Sequence, residues 1–273
     1  MTVEEDKAPD PSSSLLAFFG SELRRIRIKC GLSQEETARK AHTTQSMLSK
    51  VEFAKRVPSA ELARDLDVAL NTDGYFLRLH PLVLRHSYPK WFVSFVELEQ
   101  TAAQIRTVQT MVLPGLLQTE EYARAVLDTM RPDHLDDLVT ARASRQDVFD
   151  RKDRPRCWFI IDEYVLLRHL GGPEVMRQQF GRMLELGREP RNVIQVIPRE
   201  TAAHPGVNGA FTLLGFDEGS DVLHVDGFSQ GRTTANTEEV NEATRIYDLL
   251  RATALSPEAS AEVIGAHMEG LNE

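Results

Sequence analysis

Two helix-start signals eleven residues apart constrain this chain more than anything else in it. Ser33 stands before Gln34-Glu35-Glu36, and Thr44 before Gln45-Ser46-Met47. Ser33 and Glu36 have the spacing of a capping box, in which each side chain satisfies an orphan amide at the helix start. Thr44 is a good N-cap for a second helix. Gly31 suits the left-handed turn that ends a preceding helix. The stretch 30–59 therefore predicts one helix from about Gln34 to Ala41, a turn at His42-Thr43, and another helix from Gln45 to Glu52. Thr37, Ala38 and Ala41 line the inner face of the first, and Ala38 is small enough for a neighbouring helix to approach closely. Leu48 and Val51 face inward on the second, which leaves Gln45, Ser46, Ser49 and Lys50 outward.

A short helix, a tight turn and a second short helix with exposed hydrogen-bonding groups make a helix-turn-helix. The second helix has the size to enter a major groove about 12 Å wide, where a glutamine can bond the N6 and N7 edge of adenine. Ser and Lys can reach bases or phosphates. Lys55 and Arg56 follow the helix and are placed to meet the phosphate backbone, which supplies affinity without sequence information.

Charge agrees with this only when it is resolved along the chain. The net charge is −9 over 273 residues, which is unpromising for a nucleic-acid binder. Yet residues 16–90 carry 13 Lys and Arg against eight Asp and Glu, whereas residues 91–273 carry 18 against 29. A basic N-terminal module precedes an acidic C-terminal one, so one end is suited to a polyanion and the other is not.

The same residues resemble the Xre family of phage-repressor and Cro-like DNA-binding domains over about residues 16–80. The resemblance is carried by Leu23, Ile26 and Arg27 before the turn, then G-L-S-Q-E-E, T-Q-S-x-L-S-K-V-E and K-R-x-P-S. It implies that Gln34 braces both the phosphate backbone and Gln45, that Gln45 reads adenine, and that Arg27 and Glu52 form an ion pair joining the first helix to the recognition helix. The base-reading candidates are thus Gln45, Ser46, Ser49 and Lys50. The backbone-contacting candidates are Gln34, Thr44, Lys55 and Arg56, and the structural ion pair is Arg27 with Glu52. The chain departs from the family at His42, where glycine is common, and at Phe53-Ala54, where Asn-Gly is common. A non-glycine residue at positive φ costs about 1 kcal/mol.

The rest of the chain reads as follows. Residues 1–14 are polar, rich in Pro and Ser, and expected to be disordered. Residues 15–80 form an all-α five-helix bundle carrying the motif. Residues 81–90, with two prolines, read as a linker that can be helical in part. Residues 91–273 have the texture of an α+β domain with a small mixed or antiparallel sheet of four to six strands. Its strand candidates are RTVQTMV, RCWFII, NVIQVIP, AFTLLGF and DVLHVDG. Its helix candidates are FVSFVELEQTAAQI, TEEYARAVLDTM, residues 135–149, DEYVLLRHL (a helix or helical turn), PEVMRQQFGRMLELG, and two closing helices from about Thr237 and Ser256-Pro257. The runs from Val112 to Val126, I-D-E-Y-V-L-L-R, G-G-P-E-V-M and V-I-Q-V-I-P resemble the C-terminal domain of WhiJ-like actinobacterial regulators. That resemblance implies control of development or antibiotic production, and an antitoxin-like relation to a small protein encoded nearby.

No catalytic constellation stands out, and a non-enzymatic role is expected. The eight histidines show no metal-ligand spacing. His204 and His224 flank strands and could meet in space, although structural roles are the simpler reading. Asp162-Glu163 after a strand reads first as a capping pair. Gly171-Gly172 lacks the Lys-Ser/Thr of a phosphate loop. Trp91, Tyr122, Trp158, Phe159 and Tyr164 read as core before pocket. Cys30 and Cys157 read as buried, reduced thiols. No cofactor or metal is expected, and neither a secretory signal nor a membrane span, which points to the cytoplasm. The expected partners are double-stranded DNA and a second copy of the chain, because one motif reads only a few base pairs and a homodimer reads two half-sites. A small protein partner and a small-molecule ligand both remain open for the acidic domain. So does the alternative of an antitoxin-like protein that sequesters a partner and regulates its own operon.

Overall fold

Short polar residues punctuate the helices of this chain, and among the described residues seven of the eleven helix starts carry one as a cap. A computed structural model describes residues 9–227 and 230–272. The helices are α1 (Leu15–Lys29), α2 (Gln34–Lys40), α3 (Gln45–Glu52), α4 (Ala60–Leu70), α5 (Tyr75–Ser87), α6 (Lys90–Glu99), α7 (Glu120–Asp128), α8 (Leu135–Ser144), α9 (Pro173–Gly187), α10 (Thr237–Thr253) and α11 (Pro257–Glu269). The strands are β1 (Gln104–Gln109), β2 (Arg156–Asp162), β3 (Asn192–Ile197), β4 (Phe211–Gly215), β5 (Val222–Val225) and β6 (Arg232–Thr234). Ser14, Ser33, Thr44, Ser59, Thr119 and Ser256 each accept a backbone N–H from the first turn of the following helix. Among the described residues, no helix is long and apolar enough to cross a membrane.

The chain divides into two units, one of residues 1–93 with 136–144, the other of residues 94–135 with 145–273. The first is all-α. Leu16, Phe19 and Leu23 of α1 are buried with Leu48 and Val51 of α3, Leu66 of α4 and Phe76 of α5. The rings of Phe19 and Phe76 lie 5.1 Å apart in a tilted pair. The α4–α5 turn is held by buried Asp67, whose carboxylate accepts the backbone N–H groups of Phe76 and Leu77, both at 2.9 Å. His80 on α5 is also buried and bonds the Pro58 carbonyl at 3.0 Å. Desolvation holds its imidazole below the ordinary histidine range.

Three expectations change here. Of residues 1–14, for which disorder is expected, residues 1–8 lie outside the described residues. Residues 10–14 instead form a turn, in which Ser13 N–H bonds the Asp10 carbonyl at 3.0 Å, and Ser14 caps α1. The linker expected at 81–90 is helical through Ser87, with Pro81 inside α5. Buried His80, Val83 and Leu84 keep the apolar stripe running past Pro81. Cys30 is exposed at the end of α1, and only Cys157 is buried. Burial pushes the Cys157 thiol up to about 12.

The second unit is built on one six-stranded mixed sheet of order β3-β2-β1-β4-β5-β6. β1, β2 and β3 are parallel, with Ile105 opposite Cys157 and Cys157 opposite Asn192. β4, β5 and β6 continue antiparallel. One face carries Val108, Ile160, Leu213 and Leu223 against Val240, Ala243, Tyr247 and Leu250 of α10. On the other, His224 stacks on Phe95 of α6 with ring centroids 4.1 Å apart. Buried Arg145 forms a bidentate pair with Glu99, both contacts at 2.7 Å. The outer edge of β3 is covered: Val196 donates to Ser260 Oγ at 3.0 Å and accepts from Leu255 N–H at 2.9 Å. Capping an edge strand in this way blocks sheet-to-sheet pairing. The three-residue strand β6 is too short to leave an alternating pattern in sequence.

Candidate nucleic-acid interface

α2 and α3 begin where their capping signals predict and span Gln34–Lys40, one residue short of the expected end at Ala41, and Gln45–Glu52. Both halves of the Ser33–Glu36 box are made: Ser33 Oγ accepts Glu36 N–H at 3.1 Å, and Glu36 Oε2 accepts Ser33 N–H at 2.8 Å. The Ser33 amide holds the Glu36 carboxyl below its ordinary range. Thr44 Oγ1 accepts Met47 N–H at 3.1 Å.

The helix ends are as regular as the starts. α1, α2 and α3 each close with the residue three places past the helix turning back onto a carbonyl inside it. Leu32 N–H reaches Arg27 O at 3.2 Å, Thr43 N–H reaches Ala38 O at 2.9 Å, and Lys55 N–H reaches Lys50 O at 2.7 Å. This closure needs a left-handed residue just before the returning amide. Gly31 supplies it at φ 69°, but His42 and Ala54 take it at φ 51° and 55°. The tight cap after α3 thus forms although Ala54 lacks glycine's freedom. Ala54→Gly removes that strain, and the expected result is a gain of about 1 kcal/mol in urea-unfolding stability with an unchanged fold. Equal or lower stability would show that the cap carries no strain.

One hydrogen-bonded chain links the exposed end of α3 to α1. Gln45 Nε2 donates to Gln34 Oε1 at 3.1 Å, and Gln34 Nε2 donates to Glu52 Oε2 at 2.8 Å. Arg27 Nε donates to Glu52 Oε1 at 2.5 Å, Nη2 to Oε2 at 3.1 Å, and Nη1 to the Leu32 carbonyl at 2.8 Å. The Glu52 side chain is only 1% exposed and that of Arg27 11%. Both Glu52 oxygens therefore face charged or amide donors, which is what lets a carboxylate sit in a protein interior. Gln45, Ser46 and Lys50 are exposed along the outer side of α3, with Ser49 half-buried between them. Thr44 and Lys55 are exposed at its two ends, while Gln34 and Arg56 are half-buried. The structure thus places the base-reading candidates on one helix and the backbone candidates around it.

Three contributors were not read from sequence. Gly20 of α1 lies so close to the C-terminal turn of α3 that a Cβ there would stand 2.5 Å from the Val51 carbonyl oxygen and 2.7 Å from that of Glu52. Its signal in the sequence is a glycine in the interior of a 15-residue helix. Arg24, one turn on, lies over the Phe53 ring at 5.9 Å. Ser144, from α8, accepts the buried Val57 N–H at 2.8 Å; no local pattern announces it.

The candidates in the second unit do not assemble. His204 bonds Asp162 at 3.1 Å, whereas His224 bonds Thr233 at 2.9 Å, so the two do not form one site. Asp162 Oδ1 accepts Tyr164 N–H at 2.9 Å, and buried Glu163 bonds His267 at 3.0 Å and Arg199 N–H at 2.9 Å. Of the helix or helical turn expected after β2, the structure forms the turn, a 3-10 turn over Glu163–Val165. Tyr122 and Phe159 are core, while Tyr164 is exposed.

Comparison with known families returns two matches. Residues 19–75 match a helix-turn-helix domain, which makes the first unit that of a DNA-binding regulator. Residues 92–266, more than half of the chain, match a domain of unknown function, DUF5753. Neither the curated proteins nor the solved structures yield a match. A helix-turn-helix headpiece thus precedes a mixed-sheet domain, and by its larger match the chain belongs to the DUF5753 family.

Proposed function

We propose that this protein is a sequence-specific transcriptional regulator of the phage-repressor, Cro-like (Xre) type, which binds its operator as a homodimer. Its C-terminal domain senses a ligand or binds a protein partner, in the manner of the WhiJ-like regulators. The observation that carries this reading is the Gln45–Gln34–Glu52–Arg27 chain. It holds Gln45 by one amide hydrogen and leaves Oε1 and the other Nε2 hydrogen available, the pair needed for the N6 and N7 edge of adenine. Ser46, Ser49 and Lys50 extend the reading surface. Thr44, Lys55 and Arg56 supply phosphate contacts, each adding roughly one unit to the salt slope. Two copies on half-sites about 34–36 Å apart lengthen the sequence read. The role proposed is a binding one, not a catalytic one.

The test is selection of duplexes from a random pool by the full chain. A twofold-symmetric site is expected. On that site, Gln45→Ala should lose about 1–3 kcal/mol of discrimination at one base position per half-site and relax the preference there. A uniform loss across all sequences would make Gln45 a positional residue and remove the assignment.

A further inference from the structure

α8 belongs by sequence to the stretch matched by DUF5753, yet it folds with the helix-turn-helix unit. Its Val139, Ala141 and Ala143 are buried. Tyr88 Oη donates to the Ala141 carbonyl at 2.5 Å, and His86 lies 3.7 Å from Asp137. At its last residue, Ser144 donates its hydroxyl hydrogen to the Thr140 carbonyl at 2.7 Å. That bond turns the oxygen lone pairs outward, and one of them accepts Val57 N–H.

Val57 lies in the segment that joins α3 to α4 and carries Lys55 and Arg56. The segment is fixed at both ends by its own helices: Lys55 N–H bonds Lys50 O, and Ser59 Oγ accepts Leu62 N–H at 3.1 Å. Between them, the amide of Val57 finds its partner on α8. A buried amide deprived of its acceptor carries a desolvation cost that favours moving the backbone toward water. We propose that Ser144 is a positioning residue for DNA binding. It holds the Lys55–Arg56 segment in register with the phosphate backbone, so that a helix supplied by the DUF5753 stretch sets the grip of the headpiece. This rests on the DNA-binding reading above.

The experiment measures affinity of the full chain for a mixed-sequence DNA duplex between 50 and 200 mM salt, well below the melting temperature. It compares wild type, Ser144→Ala, Lys55→Ala and the double variant. Ser144→Ala is expected to weaken binding about tenfold at low salt and to lower the salt slope by about one. Lys55→Ala should then cost less in the Ser144→Ala background than in wild type, because both act on one contact. An unchanged affinity and slope, or strictly additive losses, overturns the proposal. A wild-type chain that binds no duplex overturns it together with the DNA-binding reading. Should Ser144→Ala not fold, Tyr88→Phe loosens α8 without touching the segment, and the same reduced slope is expected; an unaltered slope is then the overturning result.

Discussion

Gly20→Ala is expected to cost the headpiece at least about 3 kcal/mol, the upper range for forcing atoms into a packed interior. The added methyl carbon would stand 2.5 Å and 2.7 Å from two backbone carbonyl oxygens of α3. Neither oxygen can swing aside as a side chain would, because Val51 and Glu52 also close the helix end, Val51 O accepting Ala54 N–H. α1 and α3 must therefore separate, and Glu52 moves away from Arg27. Urea unfolding followed by far-UV circular dichroism should show an early transition for the all-α unit, with sequence-specific binding lost. Gly265→Ala in α11, where an added Cβ meets nothing within 4 Å, is the control and should gain about 0.5–1 kcal/mol from helix propensity. Equal behaviour of the two variants would show that the close approach carries no energetic weight.

Glu52→Ala is expected to cost about 3–5 kcal/mol, the range for removing one partner of a buried ion pair. It leaves the Arg27 guanidinium with the Leu32 carbonyl and deprives Gln34 Nε2 of its acceptor. Replacing both charges, as in Arg27→Met with Glu52→Met, should recover most of that stability, since well-packed apolar pairs often match buried ion pairs. It should not recover base discrimination, because Gln34, and through it Gln45, would still lack an anchor. Chemical denaturation and binding to the selected site measured on the same two variants separate these effects. If the double variant regains both, Glu52 serves stability alone.

What could be read from the sequence was read where the causes are local. Ser33, Glu36 and Thr44 act within one helical turn, so the bounds of α2 and α3 follow from spacing. The strands β2 and β3 follow from apolar runs long enough to be distinctive. The parts that escaped depend on distant partners. Gly20 is legible as a helix-weakening residue but not as the point of contact with α3, because the contact is made by the backbone 31 residues on. Residues 81–90 carry two prolines, and only the burial of Val83 and Leu84 shows that the helix persists. The assignment of α8 to the first unit was out of reach altogether, since its sequence has almost no amphipathic stripe and its partners lie in α5 and in the segment after α3.

That last feature also orders events in time. Val57 and Ser144 are 87 residues apart, and a ribosome adds about 5–20 residues per second. The helix-turn-helix thus leaves the ribosome on the order of ten seconds before the helix that completes its unit, and β1 and α7 are made in between. During that interval the Val57 amide and the surface that α8 will cover are bare, so a nascent headpiece waits, incomplete, on the synthesis of the domain that follows it.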